Sequence, residues 1–200
     1  MIGIIQKILL ELLEEAGGET LKHAVLDRAG VDRSVSFRID QSYSDAEFMR
    51  LLQASAEETG MNEEEISGLY ARTFLTKAQE LFPRFFQMAT SSEDFLMRQA
   101  TIHAVMASGL RASEDRKQVN DKFTAQRIEP GLVRVDYRSK NQLCALYRAL
   151  AHEVAGLYDE TVDITCEQCV KRGDECCSFL LNWPKPGSHK EGRKEGLKDN

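Results

Sequence analysis

Apolar residues recur at helical spacing through the first 110 positions of the chain. Ile5, Ile8, Leu9, Leu12 and Leu13 lie on one helical face, and Gly17-Gly18 gives that helix a place to stop. A second helix is expected from Thr20 to Ala29, closed by Gly30, followed by an extended connector from Ser34 to Ile39. Ser44 with Glu47 three residues on predicts a capping box for a helix running through Glu58 to Gly60. Asn62 and Glu65 repeat that pattern ahead of Ile66, Leu69, Tyr70, Thr73, Phe74 and Leu81, with Pro83 stopping or kinking the helix. A short helix holding Phe85, Phe86 and Met88 comes next. From Ser92, the spacing of Phe95, Leu96, Ala100, Ile102, His103, Met106 and Leu110 predicts one long helix.

The period then changes. Phe123 to Ile128 and Leu132 to Tyr137 flank Glu129-Pro130-Gly131, which predicts an antiparallel hairpin. A helix from Gln142 to Tyr158 follows, then two alternating runs, Val162 to Cys166 and Cys177 to Leu181, joined by a polar loop, Lys171 to Glu175, that contains Gly173. Strand, strand, helix, strand, strand makes a four-stranded antiparallel sheet backed by a helix, so the fold class is α+β. The expected organisation is a single domain over residues 1–182, mainly helical over 1–90, with a further helix and the sheet over 91–182. Residues 183–200 read as a disordered tail.

Composition narrows the function. A chain of 200 residues with 42% hydrophobic and 29% charged side chains has the makings of a soluble globular core. The formal charge of −6 leaves no basic field for phosphates, which argues against a nucleic-acid partner. The apolar run Ile8 to Leu13 is short and broken by Glu11, and the N-terminus shows no basic leader, so neither membrane insertion nor export is expected. All five cysteines lie between Cys144 and Cys177, a pattern that suits a reduced compartment, and a cytoplasmic location is expected.

Those cysteines are the strongest local chemistry. Cys166-x-x-Cys169 supplies two thiols from one turn, Cys177 returns on the next strand, and Cys144 opens a helix, a set able to close a tetrahedral Zn²⁺ site. Cys176 is the alternative ligand, although strand alternation points it away from Cys177. Cysteine is also often buried for packing alone, so the same residues read equally as small core hydrophobes or free thiols. His103 sits on an apolar helix face among Ile102, Val105 and Met106. Its ordinary role there is a core histidine bonded to backbone, and its rarer role is a ligand. His23, His152 and His189 have weaker claims. No nucleophile elbow, phosphate loop or His-Glu-x-x-His pattern is present, and nothing argues for an enzyme.

Five stretches together resemble the H-NOX domain, the haem-based nitric oxide and oxygen sensor also found in soluble guanylate cyclase. They are Met1 to Ile5, Ser42 to Phe48, Phe95 to Val105 with its Ile102-His103 pair, Tyr137-Arg138-Ser139-Lys140-Asn141 with the following Leu143-Cys144, and Cys169 to Cys177. The resemblance covers Met1 to about Leu181 and is closest to the bacterial stand-alone type. It implies haem b with His103 as the proximal iron ligand, and Tyr137, Ser139 and Asn141 at the haem propionates. Ile5, Phe74 and Leu146 would wall an apolar distal pocket. Residues 1–90 would then be the distal subdomain and 91–182 the proximal one. Oxygen-binding members are expected to carry a tyrosine where Leu146 stands, so the resemblance implies preference for NO. It further implies that NO weakens the iron–histidine bond, that the helix bearing His103 shifts, and that a separate histidine kinase or cyclic-di-GMP enzyme reads the change. Some members bind zinc through three cysteines and a histidine near the last hairpin; Cys166 stands at the histidine position.

Two departures accompany the match. Asn141 replaces the motif's arginine, and an amide cannot supply the charge that a guanidinium offers a carboxylate. No proline lies between His103 and Pro130. Two other functions fit part of the sequence: a haem-free redox switch in which zinc thiolates are oxidised, and a small-molecule binding domain of the vinyl-reductase type, whose closing hairpin has a similar Cys, Gly-Asp and Cys pattern.

Overall fold

The computed structural model describes residues 2–108, 122–138 and 141–184. The helical part begins with α1 (Ile4–Ala29), whose two halves meet at a kink where Gly17 and Gly18 leave helical geometry and Gly18 takes φ +66°. The glycine pair thus breaks the helix where the sequence places the break, without separating the halves. Ile4, Ile8, Leu9 and Leu13 are buried in the first half, Val25 and Leu26 in the second. The start of α1 is pinned from outside: Gly3 N–H donates to the Gln41 carbonyl at 2.9 Å. A Cβ on Gly3 would come within 2.3 Å of the Arg38 carbonyl and 2.5 Å of the Tyr43 ring. Only glycine lets the 38–43 connector lie this close, and that approach sets the direction in which Ile4 and Ile5 enter the core.

Helices α2 (Asp45–Thr59) and α3 (Glu63–Leu81) follow. The Asn62 capping box forms as expected: Asn62 Oδ1 accepts from Glu65 N–H at 3.0 Å, and Glu65 Oε2 accepts from Asn62 N–H at 2.8 Å. The corresponding box at Ser44 does not. Ser44 makes no side-chain cap bond, and Glu47 Oε1 is buried without a partner instead of reaching back. Leu81, expected on the apolar face, is 48% exposed at the end of α3. Pro83 starts the short α4 (Pro83–Gln87), with Met88 just beyond it.

The long helix expected from Ser92 is two helices, α5 (Ser92–Met97) and α6 (Gln99–Ser108), separated at Arg98. The Arg98 N–H is shared between the Asp94 and Phe95 carbonyls, at 3.2 and 3.1 Å, which tightens the turn and interrupts the helical ladder. Leu110 lies outside the described residues, as do Ser139, Lys140, His189 and all of the tail from 185 on.

The sheet has strands β1 (Phe123–Glu129), β2 (Leu132–Tyr137), β3 (Asp163–Gln168) and β4 (Cys177–Asn182) in the order β1-β2-β4-β3, every pair antiparallel. Tyr137 pairs with Phe123 on one side and Cys177 on the other, while Val135 pairs with Phe179. These residues bury one face in the period of two that the sequence shows. Helix α7 (Cys144–Leu157) begins two residues later than expected because Gln142 takes φ +55°. It packs on α3 and α5, and its Tyr147 ring reaches Phe179 of the sheet at 4.6 Å. No described helix is long and apolar enough to cross a membrane.

One residue in this core is out of character. Gln6 is fully buried on α1, and neither its amide nitrogen nor its oxygen has a partner. An unpaired buried polar group costs about 1–3 kcal/mol. Gln6→Met keeps the volume and removes both orphans, so chemical denaturation is expected to show a gain of about 1–3 kcal/mol; an unchanged or lower stability would show that Gln6 is satisfied in solution.

Candidate functional site

A cavity in two connected lobes lies where α1, α3, α6 and α7 meet the end of β1. The larger lobe has about 1010 Å³ of empty space, its mouth included, and the smaller about 650 Å³. Ile5, Phe74 and Leu150 line both lobes, and so do four polar residues: Gln99, His103, Lys122 and Tyr147. Leu146 and Tyr137 line the smaller lobe.

Each side chain arrives for a local reason. Ile5 stays only half-buried while its neighbours Ile4 and Ile8 are covered, because its face of α1 is the one that opens on the cavity. Phe74 lies one turn past Tyr70 on α3, and the rings sit 5.8 Å apart. Tyr70 shares the smaller lobe, but its hydroxyl donates to the Ile5 carbonyl at 2.9 Å. Gln99 and His103 are four residues apart on α6 and therefore share a face. The His103 ring lies 4.7 Å from Phe123 of β1, which in turn stacks on Tyr137 at 4.8 Å.

The cavity wall is mainly apolar, with a few polar groups set into it. Burial, with a contribution from the positive Lys122, pushes the His103 pKa down to about 4, so the imidazole is neutral at pH 7. Gln99 Oε1 and Tyr147 Oη are buried and make no hydrogen bond. Burial also drives the Tyr147 phenol well above its ordinary value. Polar atoms left in this state are stabilised by an occupant that carries its own polar or metal groups. An apolar cavity with a neutral imidazole and unsatisfied polar atoms in its wall fits a large apolar cofactor with a metal centre, as haem has.

The Tyr137–Asn141 segment divides. Tyr137 faces the cavity, whereas Arg138 is turned to the outer side, its guanidinium donating to Thr124 Oγ1 at 3.0 Å and to Asp136 at 3.2 Å. Asn141 does not line the cavity: its amide donates to Asp45 Oδ2, 2.5 Å away at the start of α2. Ser139 falls outside the described residues.

A second cluster lies under the start of α7. The sulfurs of Cys144 and Cys169 are 3.3 Å apart, those of Cys144 and Cys177 3.4 Å, and those of Cys169 and Cys177 3.9 Å. All three residues are buried, and all five cysteines are free thiols. Ligands at about 2.3 Å around a tetrahedral Zn²⁺ stand about 3.8 Å from one another, so this trio fits three corners of such a site. Cys166, the expected fourth ligand, is beside the trio but not in it; its thiol donates to the Gln168 carbonyl at 3.1 Å. The cause is a register irregularity in β3 between Cys166 and Gln168, at the sheet edge. Cys144 and Cys166 nevertheless border one surface pocket with Cys169. Cys176 points to the opposite side, toward Gln168. Burial raises the Cys144 and Cys177 thiols, whereas Cys169 stays below its ordinary value despite burial because Cys144, the Lys171 backbone and Cys177 hydrogen-bond its thiolate.

Sequence reasoning passed over Gln99, Lys122 and Tyr147. Gln99 had a usable signal, its spacing of four from His103 on an apolar face. Tyr147 shares the apolar face of its helix with Leu146 and Leu150, a signal of burial, whereas Lys122 had none, since it reaches the cavity only through long-range packing.

The haem-NO-binding family model matches residues 2–166. Among solved structures, the chain is similar to an H-NOX protein from S. oneidensis in the Fe(II)NO ligation state, with TM-score 0.75, 16% identity, and 92% of this chain and 99% of that one covered. It is also similar to an oxygen-binding H-NOX domain related to soluble guanylate cyclases, in its oxygen complex, with TM-score 0.73, 18% identity and both chains covered in full. A third similar structure is an unliganded Fe(II) H-NOX mutant from K. algicida, with TM-score 0.75, 17% identity, and 93% and 98% coverage. Among curated protein sequences none matches.

Proposed function

The chain belongs to the haem-NO-binding family, and from that premise we propose that its cavity takes haem b at His103 and that the protein senses nitric oxide for a separate signalling partner. The observation that carries this reading is the neutral imidazole of His103 opening into an otherwise apolar cavity. Haem iron, when bound, supplies an open coordination position for a diatomic gas.

The residues of the chain supply the rest. Burial keeps a ring nitrogen of His103 unprotonated and available as a ligand. Ile5, Phe74 and Leu146 present only carbon to a gas molecule beside them, so none of the three offers bound dioxygen a hydrogen bond, which favours NO. Tyr70 does not supply that bond, since its hydroxyl is already used. The Tyr147 ring packs on Phe123, Tyr137 and Phe179, and Phe123 is the ring that His103 touches, so Tyr147 belongs to the histidine's surroundings. Tyr137 and Ser139 are the proposed propionate contacts. Asn141 contributes by tying its segment to α2. His103 is carried on α6, which touches β1 and α5, so a force at the imidazole moves a helix against the sheet. A histidine kinase or cyclic-di-GMP enzyme is the proposed reader of that movement.

The test is gas exposure of the ferrous, haem-reconstituted protein. NO is expected to shift the Soret band and O₂ to leave no lasting complex; a persistent oxygen complex in the wild type would contradict the selectivity. Leu146→Tyr introduces a donor at the apolar wall and is expected to create a stable oxygen complex, read by the same spectra. No such gain would place the gas site away from Leu146.

The thiol trio supports a second metal proposal. Cys144, Cys169 and Cys177, with Cys166 closing the site, hold a structural Zn²⁺; the three buried sulfurs, 3.3–3.9 Å apart, need to spread by only about half an ångström to reach tetrahedral thiolate spacing. The family match does not favour the haem-free redox reading or the vinyl-reductase type of small-molecule domain.

A further inference from the structure

We propose that Lys122 is the cation that recognises a carboxylate of the porphyrin in this cavity, held in place for that task by Asp45 and Asn141. The inference rests on the proposed haem reading and assigns the charge partner that Asn141 cannot be.

Lys122 is the one lysine or arginine among the described residues that line either lobe, and it lines both. Its side chain is only 16% exposed. An ammonium drawn against apolar walls is costly unless something anionic meets it. The ion pair present is a long one, 3.5 Å to Asp45 Oδ2, and that oxygen also accepts the Asn141 amide at 2.5 Å. Asp45 therefore divides its capacity among several donors, of which Lys122 is one. An ammonium has three donors, so Lys122 has capacity for a second anion.

Backbone pairing explains the position. The Arg138 N–H donates to the Lys122 carbonyl at 2.8 Å, one step beyond the Phe123–Tyr137 pair. Lys122 thus stands across the ladder from the segment that carries Tyr137 and Asn141, at the end of the sheet that meets the cavity. Arg138 is committed to Thr124 and Asp136 on the outer side, so among the described residues of the motif none brings a cation to the cavity. The guanidinium that the motif lacks at Asn141 is replaced by an ammonium from the other strand, with Asn141 helping to fix its counter-ion.

The test uses the full chain and a porphyrin without iron, so that His103 coordination does not contribute. Protoporphyrin IX and its dimethyl ester share one macrocycle and differ at the two propionates, charged in the first and neutral methyl esters in the second. Wild-type protein is expected to bind the diacid about ten- to a hundredfold more tightly than the diester, the range of a charge-assisted hydrogen bond. Lys122→Met is expected to abolish that preference while leaving diester affinity unchanged, and Lys122→Arg to keep it. A preference that survives in Lys122→Met overturns the proposal. So does an equal loss of both ligands with loss of fold by circular dichroism in Lys122→Met and of preference in Lys122→Arg, since Lys122 would then serve only Asp45. If the wild type binds neither porphyrin, the cavity reading itself fails and this proposal with it. If it binds both equally, only the proposal fails.

Discussion

His103→Gly is expected to lower haem affinity by at least about a hundredfold, the upper end of what losing even an outer-shell partner costs a metal site. The substitution removes the one imidazole that lines the cavity among the described residues, and it does so without cutting into the main core, because His103 borders open space. The hole it leaves is the shape of imidazole, so added imidazole is expected to restore the ferrous spectrum. Metal-free protoporphyrin should bind the variant as well as it binds the wild type, since the apolar wall and Lys122 are untouched. This contrast separates a ligand from a packing residue. Loss of both porphyrins together would mean that His103 holds the cavity open, and an unchanged haem spectrum would mean that another residue is the ligand.

Cys169→Ser is expected to empty the zinc site and lower the stability of the folded domain. Cys169 is the best placed of the thiols: its N–H donates to Asp174 Oδ2 at 2.7 Å and its carbonyl accepts from Arg172 N–H at 2.8 Å, so the turn that presents its sulfur is fixed before any metal arrives. Structural zinc supplies about 10–16 kcal/mol in peptides that are unfolded without it. Here β3, β4 and α7 are already packed together, so the expected loss is smaller, about 3 kcal/mol or more on denaturation of the zinc-loaded protein. Cys176→Ser, on the far side of the strand, should change neither metal content nor stability. Zinc retained at one per chain in Cys169→Ser, or a wild type that holds none after expression with zinc, would contradict the assignment.

The elements that the sequence made legible are those whose signals are local. The Asn62–Glu65 cap, the Gly17-Gly18 break and the hairpin around Pro130-Gly131 all form where the pattern puts them, because each depends on a few neighbouring residues. The same cap pattern at Ser44 fails because the Glu47 carboxylate is turned inward and the helix start at Asp45 is taken by Lys122 and Asn141, far along the chain. The break at Arg98 was hidden for a similar reason: apolar spacing continues unbroken across a single tightened turn.

At the site, His103 was visible as a titratable residue on an apolar face, and three of the cysteines through their spacing. Cys166 shares the inward face of its strand with them, yet an irregularity beyond it leaves its sulfur at the margin of the trio. Ile5, Phe74 and Leu146 entered through the resemblance, and the cavity does gather them, from three helices well separated in sequence. Lys122 precedes a strand by one residue and looks like an ordinary solvated lysine until the packing of α2 and β2 is known.

One titration tests the haem site most directly: haem added to the apoprotein and followed at the Soret band under reducing conditions. The prediction is saturation at about one haem per chain, as one His-ligated iron requires, with a ferrous spectrum of a five-coordinate, histidine-bound iron. Absence of saturable binding, or a spectrum in which no histidine is bound, would contradict it.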